Sequence, residues 1–321
     1  MTYILLFIGF ALLIKGADFF VEGSSKIATL LHIPPILIGL TIVAFGTSSP
    51  EATVSILAAM DGTAGLAIGN VVGSNIFNIT FVVGLTAFLN PLKVESETIR
   101  KEIPFTLLAS FALYFIISDV ILQTWNQNLI TRSDGLILLL FMSIFMFYIF
   151  EVARNSREKV AANPDLRVKQ SRGSWIKNIL FTIGGLAAII FGGDLVVRNS
   201  TEIAYSFGMS ETLVGLTIIA VGTSLPELIT SVTAALKKQS ELALGNIVGS
   251  NIFNILFVLG ASSIIAPLTV EDKIFFDVKI MIMVTLVLLV FSRTGYRIGK
   301  REGVILALCY IAYTVYIIIR N

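Results

Sequence analysis

The sequence repeats itself, and this internal repeat constrains the fold more than any other feature. At an offset of 176 residues, GLTIVAFGTSSPE at 39–51 aligns without gaps with GLTIIAVGTSLPE at 215–227. A second segment, GNVVGSNIFN at 69–78, aligns at the same offset with GNIVGSNIFN at 245–254. Matches of this length indicate that the chain is built from two copies of one structural unit.

Composition indicates where these units fold. Hydrophobic residues make up 55% of the 321 residues and charged residues 14%, whereas soluble domains average about 45–50% and about 25%. A soluble enzyme is therefore excluded, and a net charge of +2 offers no basic surface for a nucleic acid. One cysteine and one histidine exclude an intrachain disulfide, a Cys₄ site and a multi-histidine metal centre. We expect a polytopic membrane protein.

The apolar segments predict ten membrane spans, because a helix needs about 20 apolar residues to cross a bilayer. The expected spans are 2–21, 33–60, 63–90, 103–119, 133–152, 177–200, 209–236, 240–266, 274–292 and 302–319. Each repeat holds five spans, and five is odd, so the second copy enters the membrane from the opposite side. The sequence therefore predicts an all-α protein of ten transmembrane helices in two inverted five-helix repeats, at 1–152 and 177–321, joined by a linker at 153–176.

Basic residues predict the orientation, since cytoplasmic loops are enriched in Lys and Arg. Of the 23 Lys and Arg residues, 17 fall in one set of alternate loops, 5 in the other and Lys15 within the first span. We expect a multi-pass protein of the cell membrane with the 153–176 linker in the cytoplasm and both termini outside.

Two glutamates lie at equivalent places in the middle of spans two and seven, Glu51 and Glu227. A charge at the bilayer centre costs at least about 2.5–3.5 kcal/mol, so such a carboxylate is functional by default. The alternative is a pair of protonated, hydrogen-bonded glutamates that only hold helices together.

The residues around each glutamate favour cation coordination. Pro50 and Pro226 cannot donate a backbone hydrogen bond, so each helix should break nearby and free carbonyls over 44–47 and 220–223. Positions 44, 47, 48, 51 and 55 share one helical face on which every polar group is an oxygen. Hydroxyl and amide oxygens four residues apart follow in each repeat, at Ser74 with Asn78 and Ser250 with Asn254. Many hard oxygens and two carboxylates suit Ca²⁺ and Na⁺ better than zinc or copper.

Other polar and small residues favour structural roles. Asn70, Asn75, Asn246 and Asn251 are expected to form interhelical hydrogen bonds rather than bind ions. The G-x-x-x-G pairs at 69–73 and 245–249 predict close helix packing. Asp18 and Asp194 lie near span ends; Asp18 can pair with Lys15, and structure is favoured over transport. His32 is expected in an interfacial loop.

At its paired GTS-x-PE and GSNIFN segments, the chain resembles the alpha repeats of the cation/calcium exchanger superfamily, in its sodium/calcium branch. The resemblance covers both repeats, and the GN-x-x-E motif of the proton-coupled branch is absent. It implies ten helices around four ion sites at the membrane midplane, with the first and sixth helices sliding to switch access. It implies that Glu51 and Glu227 bind both Ca²⁺ and Na⁺. The further ligands that it implies are Ala44, Thr47, Ser48, Ser74 and Asn78, with Ala220, Thr223, Ser224, Ser250 and Asn254.

The expected function is a secondary antiporter that exchanges Ca²⁺ for Na⁺ by alternating access, with Ca²⁺/H⁺ or another monovalent cation as the alternative. No enzymatic activity and no cofactor are expected; the partners are the transported ions and the lipid bilayer, with no nucleic acid. An intramembrane protease would need a Ser/His pair or two aspartates, and His32 is badly placed for one. The chain departs from the family at Asn254, where sodium/calcium exchangers often carry aspartate.

Overall fold

The computed structural model describes residues 2–122, 126–161, 172–208 and 220–320, and nearly all of them are helical. In this part of the chain the helices longer than ten residues are labelled α1 to α11. Their bounds are α1 Thr2–Leu31, α2 Pro35–Thr47, α3 Ser49–Met60, α4 Ala64–Leu89, α5 Ile103–Ile116, α6 Arg132–Ala161, α7 Arg172–Ser206, α8 Leu225–Leu236, α9 Ser240–Ile265, α10 Asp272–Arg293 and α11 Lys300–Arg320. The all-α prediction is confirmed.

Seven of these helices are long and apolar enough to span a membrane. They are α1, α4, α6, α7, α9, α10 and α11. An eighth span is formed by α2 and α3 together, which are bent by 49° at a break. The remaining two expected spans do not appear as single long helices. A π-helical turn, Thr98–Glu102, precedes the 14 residues of α5, and α8 has 12 residues. Residues 209–219 of the seventh expected span lie outside the described residues, so the count of ten stays a prediction.

The first helices of the two repeats, α1 and α7, pack together along their length. Gly9 of α1 lies against Gly192 of α7, and Gly16 lies against Gly185: a Cβ built on any of these glycines would come within about 3 Å of the facing helix. Because the residue numbers rise on one helix as they fall on the other, the pair is antiparallel. Small residues let the two backbones approach closely, as they do in other membrane helix pairs.

Helices α4 and α9 occupy the centre of the protein. Their apolar windows are 78% and 94% buried, compared with 17% for both α6 and α11. Each peripheral helix packs on the central helix of the other repeat: Gly303 of α11 meets Gly84 of α4, and Gly135 of α6 meets Gly260 of α9. The two repeats are therefore interwoven rather than separate units.

Four two-residue strands link the repeats at the helix ends. They are β1 Leu92–Lys93, β2 Leu129–Ile130, β3 Leu268–Thr269 and β4 Arg297–Ile298. β1 pairs antiparallel with β4, and β2 pairs antiparallel with β3. Each ribbon thus joins a strand of the first repeat to a strand of the second. Helix α6 extends to Ala161 and α7 begins at Arg172, so both continue into the expected 153–176 linker, of which 162–171 lie outside the described residues.

Candidate ion-binding site

The break between α2 and α3 places the first glutamate. Ser48 leaves the helical conformation at φ −84° and ψ 8°, and α3 restarts with Pro50 in its first turn. Its counterpart Ser224, at φ −92° and ψ 8°, precedes α8 in the same way, with Pro226 in the first turn. Proline fits the first turn of a helix because the backbone N–H that it lacks has no partner there. The predicted breaks are present in both repeats.

At Ala44 the expected release of the carbonyl group does not occur. The Ala44 carbonyl accepts the backbone N–H of Ser48 at 3.0 Å and lies 3.4 Å from the Thr47 hydroxyl. The prediction that this carbonyl loses its partner is wrong, because the helical donor that Pro50 removes would have reached Gly46 instead. In the second repeat, Ala220 begins a short helix, Ala220–Gly222, directly before the break.

The two glutamates are held by serines of the opposite repeat. Both carboxyl side chains are fully buried in the first turns of α3 and α8. The Ser224 hydroxyl donates to Glu51 Oε1 at 2.9 Å, and the Ser48 hydroxyl donates to Glu227 Oε1 at 2.7 Å. The serine at each break therefore binds the glutamate that follows the other break, and the two carboxyl groups belong to one hydrogen-bonded cluster.

The central helices α4 and α9 add a serine each. The Ser250 hydroxyl lies 3.5 Å from Glu227 Oε1, and the Ser224 hydroxyl lies 3.1 Å from that of Ser74. Residues one turn further along, Asn78 and Asn254, begin π-helical turns that end at Val82 and Val258. Wider turns of this kind are frequent at functional sites.

Several oxygens of this site have no hydrogen-bond partner although they are buried. Within the described part of the chain they are Glu51 Oε2, Glu227 Oε2, Asn78 Oδ1, Asn254 Oδ1 and Thr223 Oγ1. Buried polar groups are almost always paired, so a group of unpaired acceptors requires an explanation. Carboxylate, amide and hydroxyl oxygens that lack a hydrogen-bond partner in the protein are suited to hold a hard cation.

The two threonines of the GTS segments differ. The Thr47 hydroxyl donates to Asn246 Oδ1 at 3.0 Å, whereas the Thr223 hydroxyl has no partner among the described residues. Thr47 is thus tied to α9 in this structure, while Thr223 keeps its oxygen open.

The expected interhelical hydrogen bonds of the asparagines are present. Asn70 Nδ2 donates to the Ser55 hydroxyl at 2.9 Å and to the Glu51 carbonyl at 3.2 Å. Asn246 Nδ2 donates to the Ser231 hydroxyl at 2.9 Å and lies 3.4 Å from the Glu227 carbonyl. These amides tie each glutamate-bearing helix to the neighbouring central helix and so stabilise the position of the carboxylates.

Asp18 has a closer partner than the Lys15 that was expected from the sequence. Lys15 lies 3.9 Å from Asp18, but Lys237, at the end of α8, lies 2.9 Å from the same carboxylate and donates to the Asp18 carbonyl at 2.8 Å. Asp194 pairs with Arg198 at 2.7 Å. A contact between spans so far apart in the chain leaves no local pattern in the sequence.

Two further buried carboxylates also escaped sequence reasoning. Glu102 accepts a hydrogen bond from Tyr148, and Asp277 forms a two-pronged ion pair with Arg320 at 2.9 and 3.1 Å. Both carboxylates lie near the start of the fourth helix of a repeat and bind its fifth helix. They lie outside the glutamate site, and each joins peripheral helices.

A family model described as sodium/calcium exchanger protein matches residues 1–151 and 177–319. The chain belongs to the sodium/calcium exchanger family. It is 42% identical over 319 residues to the putative antiporter CaxA of Alkalimonas amylolytica, covering 97% of this chain and 96% of the relative. It is 35% identical over 342 residues to the sodium/calcium exchanger MaX1 of Methanosarcina acetivorans, covering 98% and 97%.

A solved structure supports the same family at the level of the fold. The sodium-calcium exchanger NCX_Mj, soaked without Na⁺ and Ca²⁺, superposes with a TM-score of 0.83 at 29% identity, covering 98% of each chain. The protein is therefore a multi-pass transmembrane protein and a cation/Ca²⁺ antiporter of the sodium/calcium exchanger family.

Proposed function

We propose that this protein exchanges Na⁺ for Ca²⁺ at the membrane midplane, in the site formed by α3, α4, α8 and α9. The observation that carries the proposal is a set of five buried oxygens without hydrogen-bond partners: the Oε2 atoms of the serine-bound pair Glu51 and Glu227, and the side-chain oxygens of Asn78, Asn254 and Thr223. Two carboxylates carry −2, which balances one Ca²⁺ or the charge of two Na⁺. The remaining oxygens are neutral and hard, as both ions require.

The same oxygens serve both cargoes in this proposal, so Na⁺ and Ca²⁺ compete for the site. Its ligands are the oxygens of Glu51, Glu227, Ala44, Ala220, Thr47, Thr223, Ser48, Ser224, Ser74, Ser250, Asn78 and Asn254. Competition for one site, combined with access that alternates between the two sides, amounts to exchange. No cofactor takes part.

The symmetry supports alternating access. We interpret the chain as ten spans in two inverted repeats, at 1–152 and 177–321, and the antiparallel pairing of α1 with α7 supports this arrangement. In the proposal, α1 and α7 move together across the core and open one side of the site while they close the other.

The state described here fits an outward-facing protein. With the termini outside and the 153–176 linker in the cytoplasm of a cell-membrane protein, the start of α9 lies on the cytoplasmic side. Residues 242–246 of that part of α9, including Asn246, are buried, whereas Asn70 on the extracellular half of α4 is partly exposed.

Ca²⁺/H⁺ exchange is the second candidate. The unpaired carboxylate oxygens of Glu51 and Glu227 can each take a proton in place of a metal ion. Exchange with H⁺ would then use the same two residues, and only the driving ion would differ.

Flux measurements on proteoliposomes test both candidates. Vesicles loaded with Na⁺ are diluted into Na⁺-free medium that contains radiolabelled Ca²⁺, with K⁺-loaded vesicles and an imposed pH gradient as the comparisons. Na⁺/Ca²⁺ exchange predicts uptake that requires internal Na⁺. Uptake that a pH gradient drives without Na⁺ would support the H⁺ alternative instead, and no uptake under any gradient would overturn both.

A further inference from the structure

Four buried asparagines form a crossed arrangement between the repeats, next to the candidate site. Asn254 Nδ2 donates to Asn75 Oδ1 at 3.2 Å, and Asn78 Nδ2 donates to Asn251 Oδ1 at 3.2 Å. Each site asparagine is therefore bound by the central asparagine of the other repeat. All four side chains are at most 1% exposed, so bulk water does not reach them.

The central pair is itself anchored to the backbone. Asn75 Nδ2 donates to the Asn251 carbonyl at 3.2 Å, and Asn251 Nδ2 donates to the Asn75 carbonyl at 3.4 Å. A backbone carbonyl can only accept a hydrogen bond. If either central amide turned over, its Oδ1 would face a carbonyl oxygen, and two acceptors would be left opposed in a buried place.

The backbone contact fixes the orientation of the central amide, and the central amide in turn fixes the orientation of the site amide. The Asn251 carbonyl requires the Asn75 amide to point its Nδ2 inward, which leaves Asn75 Oδ1 to accept Asn254 Nδ2. With its Nδ2 engaged, Asn254 is left with Oδ1 as its free polar atom, and this oxygen has no hydrogen-bond partner. The equivalent contacts in the other repeat, from the Asn75 carbonyl through Asn251 to Asn78, leave Asn78 Oδ1 without a hydrogen-bond partner.

We propose that Asn75 and Asn251 are positioning residues that fix the amides of Asn254 and Asn78 with the carbonyl oxygen toward the transported ion. The inference rests on the proposed function of the site, and it adds two residues that do not themselves contact the ion. Without them a site amide can present its NH₂ group, which repels a cation. Partners that orient a ligand in this way typically contribute 10–100-fold to metal affinity.

The arrangement also predicts how an aspartate at position 254 would differ from the asparagine. In Asn254→Asp, the oxygen that faces Asn75 Oδ1 must carry a proton in order to donate a hydrogen bond. The second oxygen then remains open toward the ion. A carboxylate thus offers an oxygen to the ion in either orientation and does not need Asn75 to orient it.

The test is a cross-rescue experiment with the full-length protein in proteoliposomes. Asn75→Leu removes the amide with little change in volume, and we expect its KM for Ca²⁺ to rise by roughly 10–100-fold. Adding Asn254→Asp should return the KM to within about threefold of the value for Asn254→Asp alone, a difference of less than about 1 kcal/mol. Adding Asn78→Asp is the matched control and should not rescue, because Asn75 does not bind Asn78.

The mirror set gives the opposite pattern. Asn251→Leu should be rescued by Asn78→Asp and not by Asn254→Asp. Isothermal titration of each purified variant with Ca²⁺ gives the Ca²⁺ affinity as a second readout. A leucine that only disturbed packing would lower this affinity regardless of which aspartate is added, and only a loss of amide orientation predicts rescue by one aspartate and not by the other. If a leucine variant does not fold, Asn75→Ala and Asn251→Ala remove the same amides without apolar bulk and are judged by the same criterion.

Each outcome has a distinct meaning. Rescue only by the crossed partner supports the proposal. Equal rescue by both carboxylates would show that added charge, not orientation, restores binding and would overturn it, as would unchanged Ca²⁺ affinity in folded Asn75→Leu. A parent protein without Na⁺-dependent Ca²⁺ flux would instead contradict the proposed function, and the Ca²⁺ titrations would still decide the orientation question.

Discussion

Two nearly identical segments, 69–78 on α4 and 245–254 on α9, have different neighbours. Gly249 on α9 is packed against α2: a Cβ there would lie 2.7 Å from Leu40 Cα and 2.8 Å from Ala44 Cβ. Its counterpart on α4, Gly73, is partly exposed, and among the described residues no atom beyond its chain neighbours and the backbone of its own helix lies within 4 Å of such a Cβ. Within the described ranges, the same motif is thus covered in one repeat and uncovered in the other.

Because the two segments are nearly identical in sequence, we attribute this asymmetry to the conformation of the protein. At the offset of 176 residues, the counterpart of α2 is the segment 211–223, of which 211–219 lie outside the described residues. If the repeats exchange conformations, the α4 face becomes the covered one. We therefore expect glycine to be needed at both positions, although among the described residues only Gly249 is tightly packed.

The charges at the ends of the two faces differ as well. Lys237, which follows α8, binds Asp18 of α1. The equivalent positions in the other repeat are Asp61 and Asp194, and both are acidic. Asp194 pairs with Arg198 on its own helix, while Asp61 is exposed and forms no ion pair with the described residues. In the part of the chain that the structure describes, one end of the protein therefore has an ion pair between α1 and Lys237 that has no counterpart at the other end.

The largest expected effect lies at the centre, where the repeats are most alike. Glu51→Gln and Glu227→Gln each remove one charge and one strong oxygen ligand. Each should reduce Ca²⁺ exchange by at least about tenfold, which requires only some 1.4 kcal/mol. The measurement is Na⁺-dependent Ca²⁺ uptake by the purified, reconstituted variants. Near-normal Ca²⁺ flux in either folded variant would contradict the assignment of the two glutamates as ion ligands.

The next largest effect is expected from alanine substitutions at Gly249 and Gly73, which should differ in their effect on stability. Gly249→Ala places a methyl group against the backbone of Leu40 and should destabilise the protein by about 1–3 kcal/mol. Gly73→Ala is its matched control and should leave the thermal stability unchanged, yet it should slow transport because that face must close in the opposite state. Thermal unfolding and Ca²⁺ flux, measured on both variants, test this. Equal loss of stability in the two variants would contradict the difference between the faces.

A smaller effect is expected at the ion pair between α8 and α1. The two side chains are 31% and 42% exposed, and exposed pairs contribute at most about 1 kcal/mol. Lys237→Gln should therefore change the KM for Ca²⁺ by no more than about fivefold. Asp61→Asn, the equivalent change at the other end, should have no effect. If Asp61→Asn changes the KM for Ca²⁺ as much as Lys237→Gln does, the ion pair between Lys237 and Asp18 does not make the two ends of the protein different.

The orientation can be tested without any expected change in flux. Glu158→Cys at the end of α6 and Asp61→Cys after α3 are made in a Cys309→Ala background. An impermeant thiol reagent applied to intact cells should label position 61 and not position 158. The neighbouring Gly62 is unsuitable for this purpose, because its φ of +74° would be strained by a cysteine. The reverse labelling pattern would invert the proposed topology.

Much of the site could be predicted from the sequence because it depends on local chemistry. Pro50 and Pro226 break their helices wherever they are packed, since a proline has no N–H. Glu51 and Glu227 are costly in an apolar span, which marks them as functional without any knowledge of their neighbours. Asn70 and Asn246, polar residues in apolar helices, had to find hydrogen-bond partners on adjacent helices.

The partners themselves were decided only by the tertiary structure. Ser48 binds Glu227, 179 residues away, rather than Glu51 on the adjacent helix. Asn75 faces Asn254 across the repeats, and Lys237 reaches Asp18 from the other half of the chain. Periodicity and composition describe one helix at a time. Which of two equivalent carboxylates a serine meets, or which of two equivalent faces is covered, depends on how helices from different repeats pack. The repeat itself leaves that choice open, because each of its motifs occurs twice.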